Sequence, residues 1–243
     1  AFGRPPHLAK FRTENRDWVV DEILGESLSG EGEHLDLHSR KDGENTSWVA
    51  EKIANYFGVK AMDVGYSGKK DRHAITSQWF SVYLPGKDVD FNESEFLTAC
   101  DANLKVLSLE RHNRKLRRGV HKLNRFGICL RDVDVDEALK ARLERISEQG
   151  VPNYFGEQRF GRNAGNLDLA KLWIEEGETI RNRNKRGLVM SASRSYLFNL
   201  ILSARVRDGS WREVMDGDVV DERGLATGPL WGRGRSSVSS RAL

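Results

Sequence analysis

The sequence predicts an α+β protein, and three observations carry that expectation. Over the first 150 residues, period-two and four-residue apolar spacings follow one another irregularly rather than as repeated βαβ units. From Gly150 onward helical spacing takes over. Of the 243 residues, 38% are apolar and 31% charged, a balance that permits a core and argues against disorder.

Taken in order, Leu35 and Leu37 mark a half-buried strand. Val49, Ile53 and Phe57 recur every four residues on one helical face. Thr46 or Ser47 is placed to cap its start and Gly58 to end it. Ile75–Leu84 alternates again, with Phe80, Val82 and Leu84 on one side. Leu107 and Leu109, then Phe126, Ile128 and Leu130, predict two further strands. Asp134 with Glu137 resembles a capping box opening a helix of Leu139, Leu143 and Ile146, which Gly150-Val151-Pro152 stops. Beyond a boundary placed near Gly150–Asn153, Leu167, Ala170 and Trp173–Ile174 predict one helix. Tyr196, Leu197, Leu200, Ile201 and Ala204 predict a longer one. The stretch Ala226–Leu243 is rich in Gly, Ser and Arg and carries little core.

Several function classes are disfavoured at once. Two cysteines, Cys100 and Cys129, supply neither a disulfide framework nor a zinc site of familiar spacing. His34, His38, His112 and His121 show no spacing that demands a metal. No apolar run approaches the roughly 18 residues of a membrane helix, and the first residues lack a signal core. The expectation is a cytoplasmic protein in a reducing setting, with no membrane and no structural metal.

The net charge is only +3, yet the cations are clustered. Arg111, Arg114, Lys115, Arg117, Arg118, Lys122 and Arg125 fall in one run without an acid. A second cluster spans Arg181–Arg186 and includes Lys185, and Arg233, Arg235 and Arg241 dot the tail. Such runs are read either as solvated faces or as the electrostatic footprint of a nucleic-acid backbone. Two of them in a chain so nearly neutral favour the second reading. Trp18, Trp48, Tyr56, Trp79, Tyr154 and Phe155 are candidates to stack on unpaired bases or, alternatively, to fill the core.

The segment Gly68-Lys69-Lys70-Asp71-Arg72-His73-Ala74 sets one carboxylate among three fixed cations and a histidine. An acid inside a site built only to hold phosphate repels its ligand. Asp71 therefore points to a carboxylate delivered to a substrate that the cations hold, with Gly65 and Gly68 allowing a turn and a close approach. The alternative is a surface turn with an ordinary ion pair. The glycines form neither a GxGxxG nor a Walker loop, and no nucleophile elbow is present.

The run Gly68-Lys69-Lys70-Asp71-Arg72-His73-Ala74-Ile75-Thr76-Ser77-Gln78-Trp79 resembles the signature loop of the TruD family of tRNA pseudouridine synthases. Asp17-Trp18-Val19-Val20-Asp21-Glu22 is similar to the family's N-terminal motif. Arg111-His112-Asn113-Arg114-Lys115-Leu116-Arg117, leading into Asn124-Arg125-Phe126, follows the family pattern. So does Val151-Pro152-Asn153-Tyr154-Phe155-Gly156-Glu157-Gln158-Arg159-Phe160-Gly161. These ordered motifs cover nearly the whole chain.

The resemblance implies a catalytic domain over residues 1–150 with a mixed or antiparallel sheet, then an α/β insertion domain over 151–243. It implies isomerisation of uridine 13 in the D-stem region of tRNA, without cofactor or metal, by a monomer with no obligate protein partner. Asp71 matches the catalytic aspartate. Trp18, Asn124 and Phe126 match positions facing the substrate, and Glu22, Lys70, Arg72, Gln78 and Phe155 occupy motif positions nearby. Arg111, Arg114, Lys115, Arg117, Arg118, Lys185 and Arg186 would meet the RNA backbone.

Two departures stand out. Trp18 replaces a usual phenylalanine. The family's return to the catalytic domain after the insertion is expected to be missing, and the step from Gly217-Asp218-Val219-Val220 to Gly228-Pro229-Leu230-Trp231-Gly232 is short. Sheet strands without neighbours would then leave edges unpaired. Two rival readings are a noncatalytic RNA-binding module, which has no use for Asp71, and a metal-dependent RNA hydrolase. The hydrolase fits less well, because Asp132, Asp134 and Asp136 suit a helix start.

Overall fold

The computed structural model describes residues 2–86, 91–100 and 103–228. The chain divides into two compact units, His7–Asp134, and Val135–Leu243 together with Ala1–Pro6. The division falls ahead of the helix that follows Asp134, whereas the change of character in the sequence falls behind it.

In the unit His7–Asp134, β1 (Lys10–Phe11), β2 (Trp18–Ile23) and β3 (His34–Asp42) lead into α1 (Thr46–Phe57) and β4 (Val64–Tyr66). There follow β5 (Ile75–Tyr83), α2 (Glu93–Cys100), β6 (Leu104–His112), β7 (Leu123–Ile128) and β8 (Leu130–Arg131). One mixed sheet runs in the order β6, β3, β5, β2, β7, with β4 also paired to β5. β2 and β5 are parallel, and the other neighbours are antiparallel. β1 and β8 form a separate antiparallel ribbon.

Period-two alternation places Leu35 and Leu37 of β3 opposite Val82 and Phe80 of β5, where Val49 and Ile53 of α1 cover them. Burying each such side chain contributes about 1.5–3 kcal/mol. Trp48 and Tyr56 pack against this core. Along the same face the apolar pairs give way to polar ones, Ser39 opposite Gln78 and Lys41 opposite Thr76, all four buried. This polar end of the core supports the site.

Local details differ from the sequence expectations for definable reasons. The N-cap of α1 is Asn45, whose side chain makes no capping bond, and the Thr46 hydroxyl bonds Gln78; Gly58 ends the helix in the left-handed region at φ 63°. In β6 the buried apolar residues are Leu104 and Val106. Leu107 is skipped in the pairing at a bulge opposite His38 and Ser39, so it turns outward at 42% exposure. β7 is an edge strand of the sheet, and its Phe126 and Ile128 are exposed.

The second unit holds α3 (Glu137–Gln149), α4 (Gly165–Glu175), α5 (Arg183–Asp208) and a short pairing of β9 (Val219–Val220) with β10 (Ala226–Thr227). Asp136, not Asp134, caps α3, its carboxylate accepting from the Leu139 N–H at 2.9 Å. α5 begins well ahead of the apolar spacing at Tyr196, with Asn182 accepting from the Lys185 N–H at 3.0 Å. Pro229–Gly232 and the tail arginines Arg233, Arg235 and Arg241 lie outside the described residues. Among the described residues no helix is long and apolar enough to cross a membrane.

Candidate active site

The segment from Gly68 to Asp71 has no ladder of its own, so its backbone groups need other partners. Three buried side chains supply them. Gln78 donates from Nε2 to the Gly68 carbonyl at 3.2 Å, and its Oε1 accepts from the Thr46 hydroxyl at 2.9 Å. The same Thr46 oxygen accepts from the Lys70 N–H at 2.9 Å. Lys41, 1% exposed, donates from Nζ to the Asp71 carbonyl at 3.2 Å and to the Glu44 carbonyl at 2.6 Å. The polar end of the core thus fixes the loop from beneath at three points. Burial lowers the Lys41 amine to about 8, although the Asp71 and Glu44 charges favour its protonated form.

Lys70 turns inward and pairs with Glu22 of β2, both side chains being almost wholly buried. The other Glu22 oxygen accepts from the Trp79 N–H at 3.1 Å, tying the loop to β2 and β5 together. Arg72 turns toward the Gly43 carbonyl at 3.3 Å. Neither cation flanking Asp71 in sequence therefore reaches its carboxylate. That task falls to Arg12, just after β1, whose guanidinium donates to Asp71 Oδ2 at 2.8 Å. The pair lies at the surface, with side-chain exposures of 34% and 37%.

Arg12 also lies over Trp18, its guanidinium carbon 3.8 Å from the ring centroid. Phe126 of the neighbouring β7 meets the indole edge-on at 5.9 Å, and Phe11 approaches at 6.3 Å. Ahead of Trp18, buried Asp17 accepts from Arg131 Nε at 2.8 Å and Nη2 at 2.6 Å, which holds its carboxyl down at about 2. This fork anchors the start of β2 to β8. Asn124 of β7 meets His121 Nε2 through its amide nitrogen at 3.1 Å, while its Oδ1 is buried without a partner among the described residues. The His121 ring in turn sits over Gly68.

The structure thus brings Asp71, Lys70, Glu22, Gln78, Arg72, Trp18, Asn124 and Phe126 onto one face of elements around β2, β5 and β7. Arg12 and Lys41 join them without any sign in the sequence, and Thr46 joins them in place of the capping role expected of it. The two glycines act differently from expectation. Neither Gly65 nor Gly68 has a positive φ; a side chain at Gly65 would overlap the Leu116 carbonyl, so that glycine lets the basic loop lie against β4.

The basic run is only partly free. Arg114 pairs with Glu26 at 2.6 Å and Lys115 donates to the Met62 carbonyl. Arg111 lies one residue before the end of β6, where its carbonyl accepts from the Gly30 N–H at 3.0 Å. Arg117 and Arg118 are exposed and make no ion pair among the described residues. In the second unit, Lys185 and Arg186 are exposed in the first turn of α5, where the helix dipole favours an anion. Half-buried Phe155 packs edge-on against Phe198 at 5.4 Å, and both its backbone polar groups bond the Asn199 amide at 2.9 Å. Among the described residues no group of three His, Cys, Asp or Glu side chains is placed to hold a metal ion.

Comparison with known proteins bears on family and fold. The family model for tRNA pseudouridine synthase D (TruD) matches residues 3–182. The tRNA pseudouridine synthase D of Cellvibrio japonicus is 49% identical over 97% of this chain and 69% of its own length. That of Methylococcus capsulatus is 44% identical over all of this chain and 74% of its own. In fold, the chain resembles the crystal structure of a Methanosarcina mazei protein assigned to TruD, with a TM-score of 0.64 and 22% identity. The likeness covers 90% of this chain and 66% of that one. The chain therefore spans between about two thirds and three quarters of these relatives. On the family model and these relatives, the chain belongs to the tRNA pseudouridine synthase D family.

Proposed function

We propose that this chain isomerises uridine 13 in the D-stem region of tRNA to pseudouridine, with Asp71 as the reacting carboxylate. The observation that carries the reading is the Arg12–Asp71 pair at 2.8 Å. It presents a partly exposed carboxylate on a loop fixed from beneath by Lys41, Thr46 and Gln78, beside the Trp18 and Phe126 rings.

The reaction breaks the uridine N1–C1′ bond, turns the uracil and joins C5 to C1′; C5 releases a proton and N1 gains one. Nothing is oxidised or consumed, and no cofactor enters. Asp71 serves by adding to C1′ or by taking the proton at C2′. Either route needs a carboxylate of fixed direction, which the loop's buried anchors supply. The target base must leave its stack, at a cost of a few kcal/mol. Trp18 and Phe126 offer surface for the flipped ring, and Asn124 an amide for its polar edge. Phosphate contacts from Arg117 and Arg118, and from Lys185 and Arg186, help offset that cost. In this reading residues 1–150 form the catalytic domain, residues 151–243 belong to the insertion domain, and the chain works as a cytoplasmic monomer.

The test is pseudouridine mapping on tRNA incubated with the chain and with Asp71→Asn. Conversion at one D-stem uridine by the wild type alone supports the reaction and the carboxylate. Intact tRNA binding without conversion makes the chain an RNA-binding module, and equal conversion by Asp71→Asn removes Asp71 from the chemistry.

A further inference from the structure

Lys41 is a charged side chain buried at the polar end of the core. It stands on the face of β3 that carries Leu35 and Leu37, opposite Thr76 of β5, and is 1% exposed. Its ammonium has two acceptors, the carbonyls of Glu44 at 2.6 Å and of Asp71 at 3.2 Å. No other donor reaches the Asp71 carbonyl among the described residues. The same short stretch is tied to the β3–α1 turn elsewhere: the Gly43 N–H donates to the Ala74 carbonyl at 3.2 Å, and Arg72 to the Gly43 carbonyl.

We propose that Lys41 is a positioning residue for the isomerisation, fixing the backbone of Asp71 from inside the core while Arg12 fixes its carboxylate from outside. The inference rests on the reading in which Asp71 reacts. The two contacts are complementary. Arg12 sets the far end of the side chain, but that end is freed whenever a substrate displaces the guanidinium. Lys41 acts on the main chain and stays in place through the reaction. A buried ammonium is disfavoured by desolvation, here enough to pull the amine to about 8. A methionine would fill the same space without that penalty, so the lysine is explained by what its charge holds. A purely structural role predicts the opposite ordering of stability and turnover.

The experiment compares the full chain with Lys41→Met and Lys41→Gln, following melting, tRNA affinity, and kcat and KM for pseudouridine formation, with Asp71→Asn as the inactive reference. Lys41→Met removes the donor; Lys41→Gln keeps a neutral one. We expect both to melt near the wild type and to bind tRNA within twofold of it. We expect kcat to fall on the order of 10²-fold in Lys41→Met at unchanged KM, and less in Lys41→Gln. Wild-type kcat in a folded Lys41→Met overturns the proposal, as does a loss confined to KM. Failure of both variants to fold makes Lys41 structural and overturns it too. Absence of pseudouridine from the wild type removes the functional reading and this inference with it, an outcome separable from the others because no variant is involved.

Discussion

The Arg12 guanidinium is held between two groups, donating to Asp71 Oδ2 at 2.8 Å and lying with its carbon 3.8 Å from the Trp18 ring centroid. Its own backbone is in the left-handed region at φ 57°, a conformation that a residue with a side chain adopts at some cost. The strained turn after β1 is what swings the guanidinium over both partners. A planar, delocalised cation can stack and donate at once, which an ammonium cannot.

Replacing Arg12 should therefore separate charge from shape. Arg12→Lys keeps a point charge near Asp71 but loses the stacked plane; Arg12→Ala loses both. Turnover should fall in that order, on the order of 10²-fold for alanine, since a carboxylate free to move by about 1 Å loses that much. Trp18 fluorescence should change in both variants. Arg12→Ala turning over tRNA at the wild-type rate removes Arg12 from the site.

The Glu22–Lys70 pair lies almost wholly out of water. Breaking such a pair by removing one partner leaves the other charge stranded, at roughly 3–5 kcal/mol, whereas removing both can be nearly neutral. Lys70→Met should accordingly be strongly destabilised in denaturant melts, and Glu22→Gln with Lys70→Met should recover most of the loss. Equal stability of the single and double variants would mean that Glu22 finds another partner.

The parts of the site legible in the sequence were those whose signal is local. The spacing of Val49, Ile53 and Phe57 shows α1 directly, and an acid among cations singles out Asp71. What was not legible depends on partners distant along the chain. Arg12 lies 59 residues before Asp71 and reaches it by way of a two-residue ribbon too short to leave a periodic pattern. Lys41, in a charged stretch of sequence, reads as a surface residue, because nothing local shows that two carbonyls await it inside. The bulge at Leu107 reverses the inward phase of β6 without changing its composition. The basic run shows the reverse limit: its density was visible, but not that Arg114 and Lys115 are engaged by Glu26 and Met62.

That division of the basic run leads to a prediction about salt. Arg117 and Arg118, exposed and without ion pairs among the described residues, are two cations of the run available to phosphate. Removing one cation that meets a phosphate should lower the slope of log affinity for tRNA against log salt by about one. Arg117→Ala and Arg118→Ala should each do so, weakening binding at low salt most. Arg114→Ala, which mainly releases Glu26, should change the slope less. Unchanged slopes in the first two would assign the RNA backbone to other residues.

Away from the Asp71 loop, Asp36 offers a test of the sheet itself. It is fully buried on β3 between Ser81 of β5 and Glu110 of β6, and neither carboxyl oxygen has a hydrogen-bond partner among the described residues. Desolvation raises it from 3.8 to about 6, against the smaller opposing effects of Ser81 and His112. Between these two values the folded chain keeps a proton that the unfolded chain has released, so stability falls as pH rises through that window. Above about 6 both states are ionised and the penalty is constant. At 1.36 kcal/mol per pKa unit, the interval from 3.8 to about 6 corresponds to roughly 3 kcal/mol. Asp36→Asn has no such titration. Its melting temperature, compared with that of the wild type from pH 4 to pH 7, should lack the decline and end higher at pH 7. Parallel curves for the two proteins would mean that Asp36 is ionised with a partner in solution.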